Sequence, residues 1–458
     1  MKFKLKKLIF CLTVASCYLS MVQSIDNAHF YKAPNVYAWP NACRFDGKKH
    51  YDVSDWETKI DFSYGYGSTK KAWDYSGKST SLLNTPGNQK IIYIDQGIPT
   101  DQLTKELKLY GPFLRDARNY VAEPENANST LCQLKFDGKF KLHDYNLNIR
   151  QNLFSGLYLQ LLAPIRQVTI NNISFEDLSN PEELEFTKTS TIWKEFKKNG
   201  LNEILNSYDF KDWETPYSKT APSDITFLVG WQGYPASNKE KGIDIGLELK
   251  LGLLMPTGSD INPNYVFSVP TGYNGHWGVS FEGQAIIEYK KWLSLNLNVG
   301  STYFINTKKT MRLKTDLNQQ GFIKLMKDNP SVEEGLLWHM DLNAKLDHIF
   351  MGFSALVGYS FTKKENNYLS ELPTLTRVSG TTRVPVYTKK VVNSDTVNQE
   401  WYLHTIHFMI DYDFSVHMPK SKAAPRLNFS YNYVFDGKNA YKNDIFGGGL
   451  GLDVRWAF

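Results

Sequence analysis

Twelve segments of this chain alternate apolar and polar residues, and the connections between them alternate between short and long. Period 2 is the mark of a strand with two unlike faces, one meeting apolar surroundings and the other water or small packed groups. The last segment is the clearest. Leu450, Leu452, Val454, Trp456 and Phe458 are apolar, while Gly449, Gly451, Asp453, Arg455 and Ala457 are small or charged. A terminal strand of a soluble sheet would alternate in the same way, so this segment alone leaves two readings open.

The other segments decide between them. Trp56 to Tyr66 sets Ile60, Phe62 and Tyr64 against Lys59, Asp61 and Ser63. Ile243 to Leu253 sets a run of Ile and Leu against Asp244, Glu248 and Lys250. Trp277 to Ile287, with Glu282 on its polar side, turns at Lys290 into Leu293 to Val299. Leu336 to Leu346 carries His339, Asp341 and Lys345 and turns into Phe353 to Phe361. Tyr402 to Tyr412 carries His407 and Asp411, and Leu427 to Tyr433 follows. Three segments are less regular. Lys139 to Arg150 shifts phase near His143 and Asp144, which predicts a bulge; Leu157 to Ile165 contains Pro164; Ile225 to Trp231 is short.

Long connections follow the odd-numbered segments, short ones follow the even, and the connection before the last is intermediate. This parity predicts an all-β fold, a transmembrane antiparallel up-and-down β-barrel of about 12 strands over residues 56–458, with short periplasmic turns and long extracellular loops. A soluble sandwich has no reason to keep such a rule.

At the other end, Lys2, Lys4, Lys6 and Lys7 precede an apolar stretch from Leu8 to Val22, and Val22 and Ser24 satisfy the small-residue rule before a cleavage site. Residues 1–24 therefore read as a secretory signal peptide. Val14-Ala15-Ser16-Cys17 offers the competing lipoprotein reading, although Tyr18, Leu19 and Met21 prolong the apolar run beyond it. Four of the 52 Lys and Arg lie in the signal, which leaves 48 against 47 Asp and Glu and removes most of the formal +5. Nothing in that balance points to nucleic acid. No later segment approaches the eighteen or so apolar residues of a membrane helix. A mean hydropathy of −0.40 and 14 % aromatic residues suit a wall that is wet on one side and girdled with aromatics on the other.

Residues 25–55, with Pro34, Pro40 and many aromatics, form an N-terminal segment that is either periplasmic or inserted in the lumen. Outside the signal only Cys43 and Cys132 remain. By parity they start on opposite sides of a hydrocarbon core of about 30 Å, so a disulfide needs the N-terminal segment or the first long loop to enter the lumen. Both states stay open, and without the bond Cys132 is expected to be reachable from outside.

Other motifs weigh less. Ala72 to Ser79 fits a relaxed phosphate-loop pattern, but no apolar strand precedes it and Pro86-Gly87 ends any helix after it, so it reads as a polar loop. Phe-Asp-Gly-Lys begins at Phe45, Phe136 and Phe435, unequal spacings that suggest shared turn chemistry. Ile192, Trp193, Phe196, Leu201, Ile204 and Leu205 predict a short amphipathic helix in the second long loop. His404 lies on the apolar face near the long-loop end, where a lipid hydrolase would place its base, yet the position two residues on is Ile406 rather than Ser. No metal-ligand spacing is present. No enzyme, cofactor or metal site is expected.

The chain resembles porin-like outer-membrane β-barrel proteins of Gram-negative bacteria over Trp56 to Phe458, and Leu450, Leu452, Val454, Trp456 and Phe458 resemble the C-terminal assembly signal of such barrels. The resemblance implies an outer-membrane location, membrane lipid and the β-barrel assembly machinery as partners, and passage of small polar solutes; it leaves a homo-oligomer open. The expected lumen lining is Lys59, Asp61, Asp244, Glu248, Lys250, Glu282, His339, Asp341, Lys345, His407, Asp411, Asp453 and Arg455. Such charges need water or counter-charges around them, so the lumen is either hydrated or plugged by its own ion pairs. The alternative function is a non-conducting barrel that displays loops for adhesion or assembly.

Overall fold

The computed structural model describes residues 56–456, apart from 239, 373–375, 380–381, 386–387 and 419–422. The expectations for residues 1–24 and 25–55, Cys17 and Cys43 among them, and for Phe458 lie outside the described residues. Twelve antiparallel strands build the wall: β1 (Trp56–Thr69), β2 (Gln133–Asn152), β3 (Leu157–Asp177), β4 (Ile225–Asn238), β5 (Ile243–Met255), β6 (Gly278–Tyr289), β7 (Leu293–Phe304), β8 (Leu337–Phe350), β9 (Phe353–Lys364), β10 (Trp401–Asp413), β11 (Ala423–Lys438) and β12 (Ile445–Trp456). Each pairs with its chain neighbours, and β12 returns to β1 from Trp56↔Trp456 to Gly67↔Ile445. Closure leaves no unpaired edge, as a spanning sheet requires. The long connections all leave one end of the barrel and the short turns the other.

The alternation has a direct physical result. Outward side chains such as Leu249, Leu251, Phe281 and Phe429 stand exposed around the wall, while their polar neighbours turn inward and are buried. On β1, Trp56 and the Tyr64–Tyr66 pair bracket Ile60 and Phe62, an apolar belt with aromatics at both edges. Trp456 Nε1 donates to Thr58 Oγ1 at 2.7 Å across the closing seam.

The phase shift expected as a bulge near His143 is absent. The β1–β2 register runs unbroken through His143 and Asp144, and the irregularity against β3 falls at Asp137 and Lys139 instead. What changes at His143 is the inward face itself. Asp144, Asn148 and Arg150 point inward below it, and Leu142, Phe140 and Phe136 point inward above it, all buried. An inward face that turns from polar to apolar mimics a slip of register.

That apolar upper face continues around the barrel through Val168, Ile170, Leu254, Phe304, Leu337 and Trp401, and the long loops pack onto it in one continuous core. From the first loop come Leu82, Leu83, Ile91 and helix α1 (Lys105–Ala122); α1 starts on a Thr104 cap that accepts from Leu107 N. From the second come α2 (Pro181–Phe186), α3 (Ser190–Glu195), a π turn (Phe196–Gly200) and α4 (Leu201–Ser207). Trp193, Phe196, Leu201, Ile204 and Leu205 are buried there, whereas Ile192 is exposed. Phe196 meets Tyr110 edge-on at 5.1 Å between ring centroids, so the first two loops are locked together.

Arg312, in the loop after β7, ties this cap to its neighbours. Its guanidinium donates to the carbonyls of Pro263 (2.9 Å), Leu325 (2.6 Å) and Tyr208 (2.7 Å) and lies 3.7 Å over the Phe210 ring. Burial pushes its pKa down to about 10. Lys324 and Asp395, both buried, join the loop after β7 to the loop after β9. The phosphate-loop pattern is a turn: Asp74 Oδ1 accepts from Ser76 N and Lys78 N, and Ala72 and Trp73 form a short strand.

Cys132 is a free thiol, fully buried at the base of the cap, and burial pushes its pKa far above the usual range. Its expected accessibility from outside is therefore corrected. Thiol reagents added to intact cells should leave Cys132 unlabelled until the cap is unfolded. Rapid labelling in the folded protein, read by intact mass, would contradict this packing.

Candidate functional site in the barrel lumen

The inward face of the wall is the candidate site, and the strands place its residues by parity alone. Lys59, Asp61, Asp244, Glu248, Lys250, Glu282, His339, Asp341, His407 and Asp411 are buried on it; Lys345, Asp453 and Arg455 share the face but sit nearer the short-turn rim and are more open.

Eight of them fall into three groups. At the closing seam Lys59 pairs with Glu57 (3.1 Å), Arg455 reaches the same carboxylate (3.4 Å), Arg426 pairs with Asp453, and Asp61 accepts from Asn148. At the short-turn rim Lys345 lies 3.4 Å from Asp347, and His348 bridges Asp347 and Asp413. The third and most buried group spans β2 to β6. Lys250 Nζ lies 2.9 Å from Glu282 and 3.3 Å from Glu248. Glu248 Oε1 also accepts from Arg150 (3.1 Å) and from the Tyr158 hydroxyl (2.7 Å), and Arg150 donates to Gln232 (2.6 Å). The Arg150 guanidinium stacks 3.6 Å over the Tyr158 ring. Gly230 makes room for this: a Cβ there would meet that ring at 2.1 Å.

Beyond this knot the wall turns from charges to amides. Gln284, Asn296, Asn298, Asp341 and Asn343 lie on β6, β7 and β8, paired in register as Gln284↔Asn298↔Asp341 and Asn296↔Asn343. Asn296 donates to Asn343 (2.7 Å), yet Asn298 Oδ1, Asp341 Oδ1, Asn343 Nδ2 and both polar atoms of Gln284 have no protein partner. Buried polar atoms without partners cost about 1–3 kcal/mol each unless water or solute satisfies them.

Sequence reasoning passed over Arg150, Tyr158 and Gln232. Arg150 was visible in phase with Asn148; Tyr158 was hidden because an aromatic on the inward face reads as a lipid-facing residue. It also missed a connected set on β9, β10 and β11: Ser360 Oγ lies 2.6 Å from His407 Nε2, and His407 Nδ1 lies 2.9 Å from Asn432 Oδ1. His404, the hydrolase candidate of the outer face, bonds instead to the Tyr359 hydroxyl (2.7 Å). No cluster of metal-ligating side chains occurs among the described residues.

No family model matches this chain, and no curated protein is similar to it. Solved structures are. An outer-membrane channel from Pseudomonas putida F1 aligns with 90 % of this chain and 100 % of its own, at 10 % identity and a TM-score of 0.46. The Pseudomonas putida toluene transporter TodX aligns over 94 % and 95 % at 9 % identity and a TM-score of 0.31. The translocator domain of the autotransporter NalP from Neisseria meningitidis aligns over 88 % and 89 % at 7 % identity and a TM-score of 0.35. The closure and two-faced wall stand on this chain's own register. The fold is a closed, antiparallel transmembrane β-barrel of twelve strands, the outer-membrane architecture.

Proposed function

We propose that this protein is an outer-membrane channel for small polar solutes, with the long-loop cap at the cell exterior controlling entry. The observation that supports it most is the row of unpartnered amide and carboxylate atoms on β6 to β8. A lumen sealed by its own ion pairs would satisfy these atoms; a hydrated passage satisfies them with water. On the inward face of β5 to β8, Asp244, Glu248, Glu282, Glu288 and Asp341 outnumber Lys250 and Lys345, so the passage favours cations over anions.

Planar-bilayer recording of the purified protein tests this. Under a KCl gradient the reversal potential should take the cation-selective sign, and Asp341→Asn should move it toward zero. No conductance either from correctly folded wild-type protein or from a variant whose cap is loosened would discard the channel.

A second reading has its own support. The apolar core that joins the loops to the upper wall suits a barrel that holds a folded outer surface in place for adhesion or assembly. In that case neither the wild-type protein nor cap variants conduct.

A further inference from the structure

The Ser360–His407–Asn432 chain is fixed by sheet register: Gly358 pairs with His407 and His407 with Asn432, while Ser360 follows Gly358 on the inward face. All three side chains are buried. With Asn432 presenting its carbonyl oxygen, His407 Nδ1 carries the proton, and the Nε2 lone pair is left to accept from the Ser360 hydroxyl. A serine bound to an imidazole whose far nitrogen is held by a third group is the nucleophile, base and orienter of acyl transfer.

A second observation points to a bound ligand beside it. A Cβ on Gly358 would stand only 3.1 Å from Asn343 Cβ and 3.7 Å from His407 Cβ, so the glycine lets these two side chains pack close together. Asn343, 4 % exposed and paired with Gly358 in the register, carries an amide nitrogen with no protein partner. Such a donor is what a developing oxyanion needs.

We propose that Ser360, His407 and Asn432 form a hydrolytic site for small acyl esters that enter the lumen, with Asn343 as oxyanion donor. The Ser360 proton passes to His407 Nε2 as the Oγ–carbon bond forms. The bond to the leaving alcohol then breaks, and that alcohol takes the proton from Nε2. Water repeats the sequence on the acyl-serine, which releases the acid and restores the hydroxyl. Asp341, directly opposite Ser360 in the register, restricts the class to neutral or ammonium-bearing acyl groups, because a carboxylate there repels anions.

The test uses the full-length folded protein in detergent, with diisopropyl fluorophosphate as covalent probe and p-nitrophenyl acetate as substrate. Peptide mass spectrometry should find the adduct on Ser360, and Ser360→Ala should lose it. His407→Gln and Asn432→Leu should slow labelling at least about 100-fold, with Asn432→Asp rescuing most of the loss because it can still orient Nδ1. Asn343→Leu should lower kcat about 10²–10³-fold and leave KM unchanged. Heat-modifiable gel mobility checks that each variant is folded. The Ser360→Cys variant, treated with a small methanethiosulfonate, measures access independently of reactivity. If its new thiol is modified while wild-type Ser360 stays unlabelled by the fluorophosphate, the proposal is overturned, since the hydrogen bonds are then structural. If no reagent reaches the thiol of Ser360→Cys, the proposal is overturned as well, whatever becomes of the channel reading.

Discussion

Leu249→Arg is expected to destabilise the barrel by about 2–4 kcal/mol, the cost of a cation on the lipid face near the midplane. Leu249 is 50 % exposed on that face, between Trp231 and Gly283 of the neighbouring strands. One residue away, Glu248→Arg is expected to cost as much or more. Alternation alone makes Glu248 a wetted lumen residue that tolerates a change of sign, but its carboxylate holds Arg150, Lys250 and the Tyr158 hydroxyl together at 1 % exposure. Replacing it with a third cation removes the carboxylate that Arg150 pairs with and one of the two that hold Lys250, and breaking a buried pair costs about 3–5 kcal/mol. Glu248→Gln keeps an acceptor for Arg150 and Tyr158 and should fall between wild type and Glu248→Arg. Urea unfolding in lipid vesicles orders the three variants. A wild-type midpoint for Leu249→Arg would mean that this face does not meet lipid, and a wild-type midpoint for Glu248→Arg would mean that the knot around Lys250 is not formed.

The contrast between those two positions marks the limit of what alternation reveals. Which face a residue occupies is a local property of a strand, so Lys59, Glu282, Asp341 and the rest fell on the inward face by counting in twos. What each one touches there depends on registers set by eleven turns and one closing seam, and no local pattern records those. Ser360, His407 and Asn432 sit on three different strands, and only His407 drew attention as a polar residue on a strand. The cap was hidden for a different reason. Its core needs Phe140, Leu142, Val168 and Ile170 on the inward face, and apolar residues in that phase imitate a bulge or an irregular strand. His143 and Asp144 show the effect, since an unbroken register there looked broken in the sequence. The amphipathic run from Trp193 to Leu205 was legible because a helix face is local again.

Arg312→Ala is expected to loosen the cap while leaving the wall intact. The guanidinium satisfies three backbone carbonyls from three loop segments and covers Phe210. Hydrogen bonds with a charged partner contribute about 1.5–3 kcal/mol each, and truncation leaves the carbonyls buried without donors. Even with partial relaxation the cap should lose about 3–5 kcal/mol, which is enough to open it locally without unfolding the barrel. Arg312→Lys should recover little, because an ammonium cannot match a planar fork aimed at three acceptors. Two measurements separate the consequences. Limited proteolysis of the folded protein should cut Arg312→Ala within the loops of residues 70–132 and 305–336 and spare the strands. Single-channel recording should then show larger or more frequent openings than wild type, because the apolar core across the long-loop end is the main obstacle that the described residues place above the polar wall. If proteolysis shows the cap loosened and the conductance stays at zero, the obstacle lies below the cap and the barrel serves to hold its outer surface rather than to pass solutes.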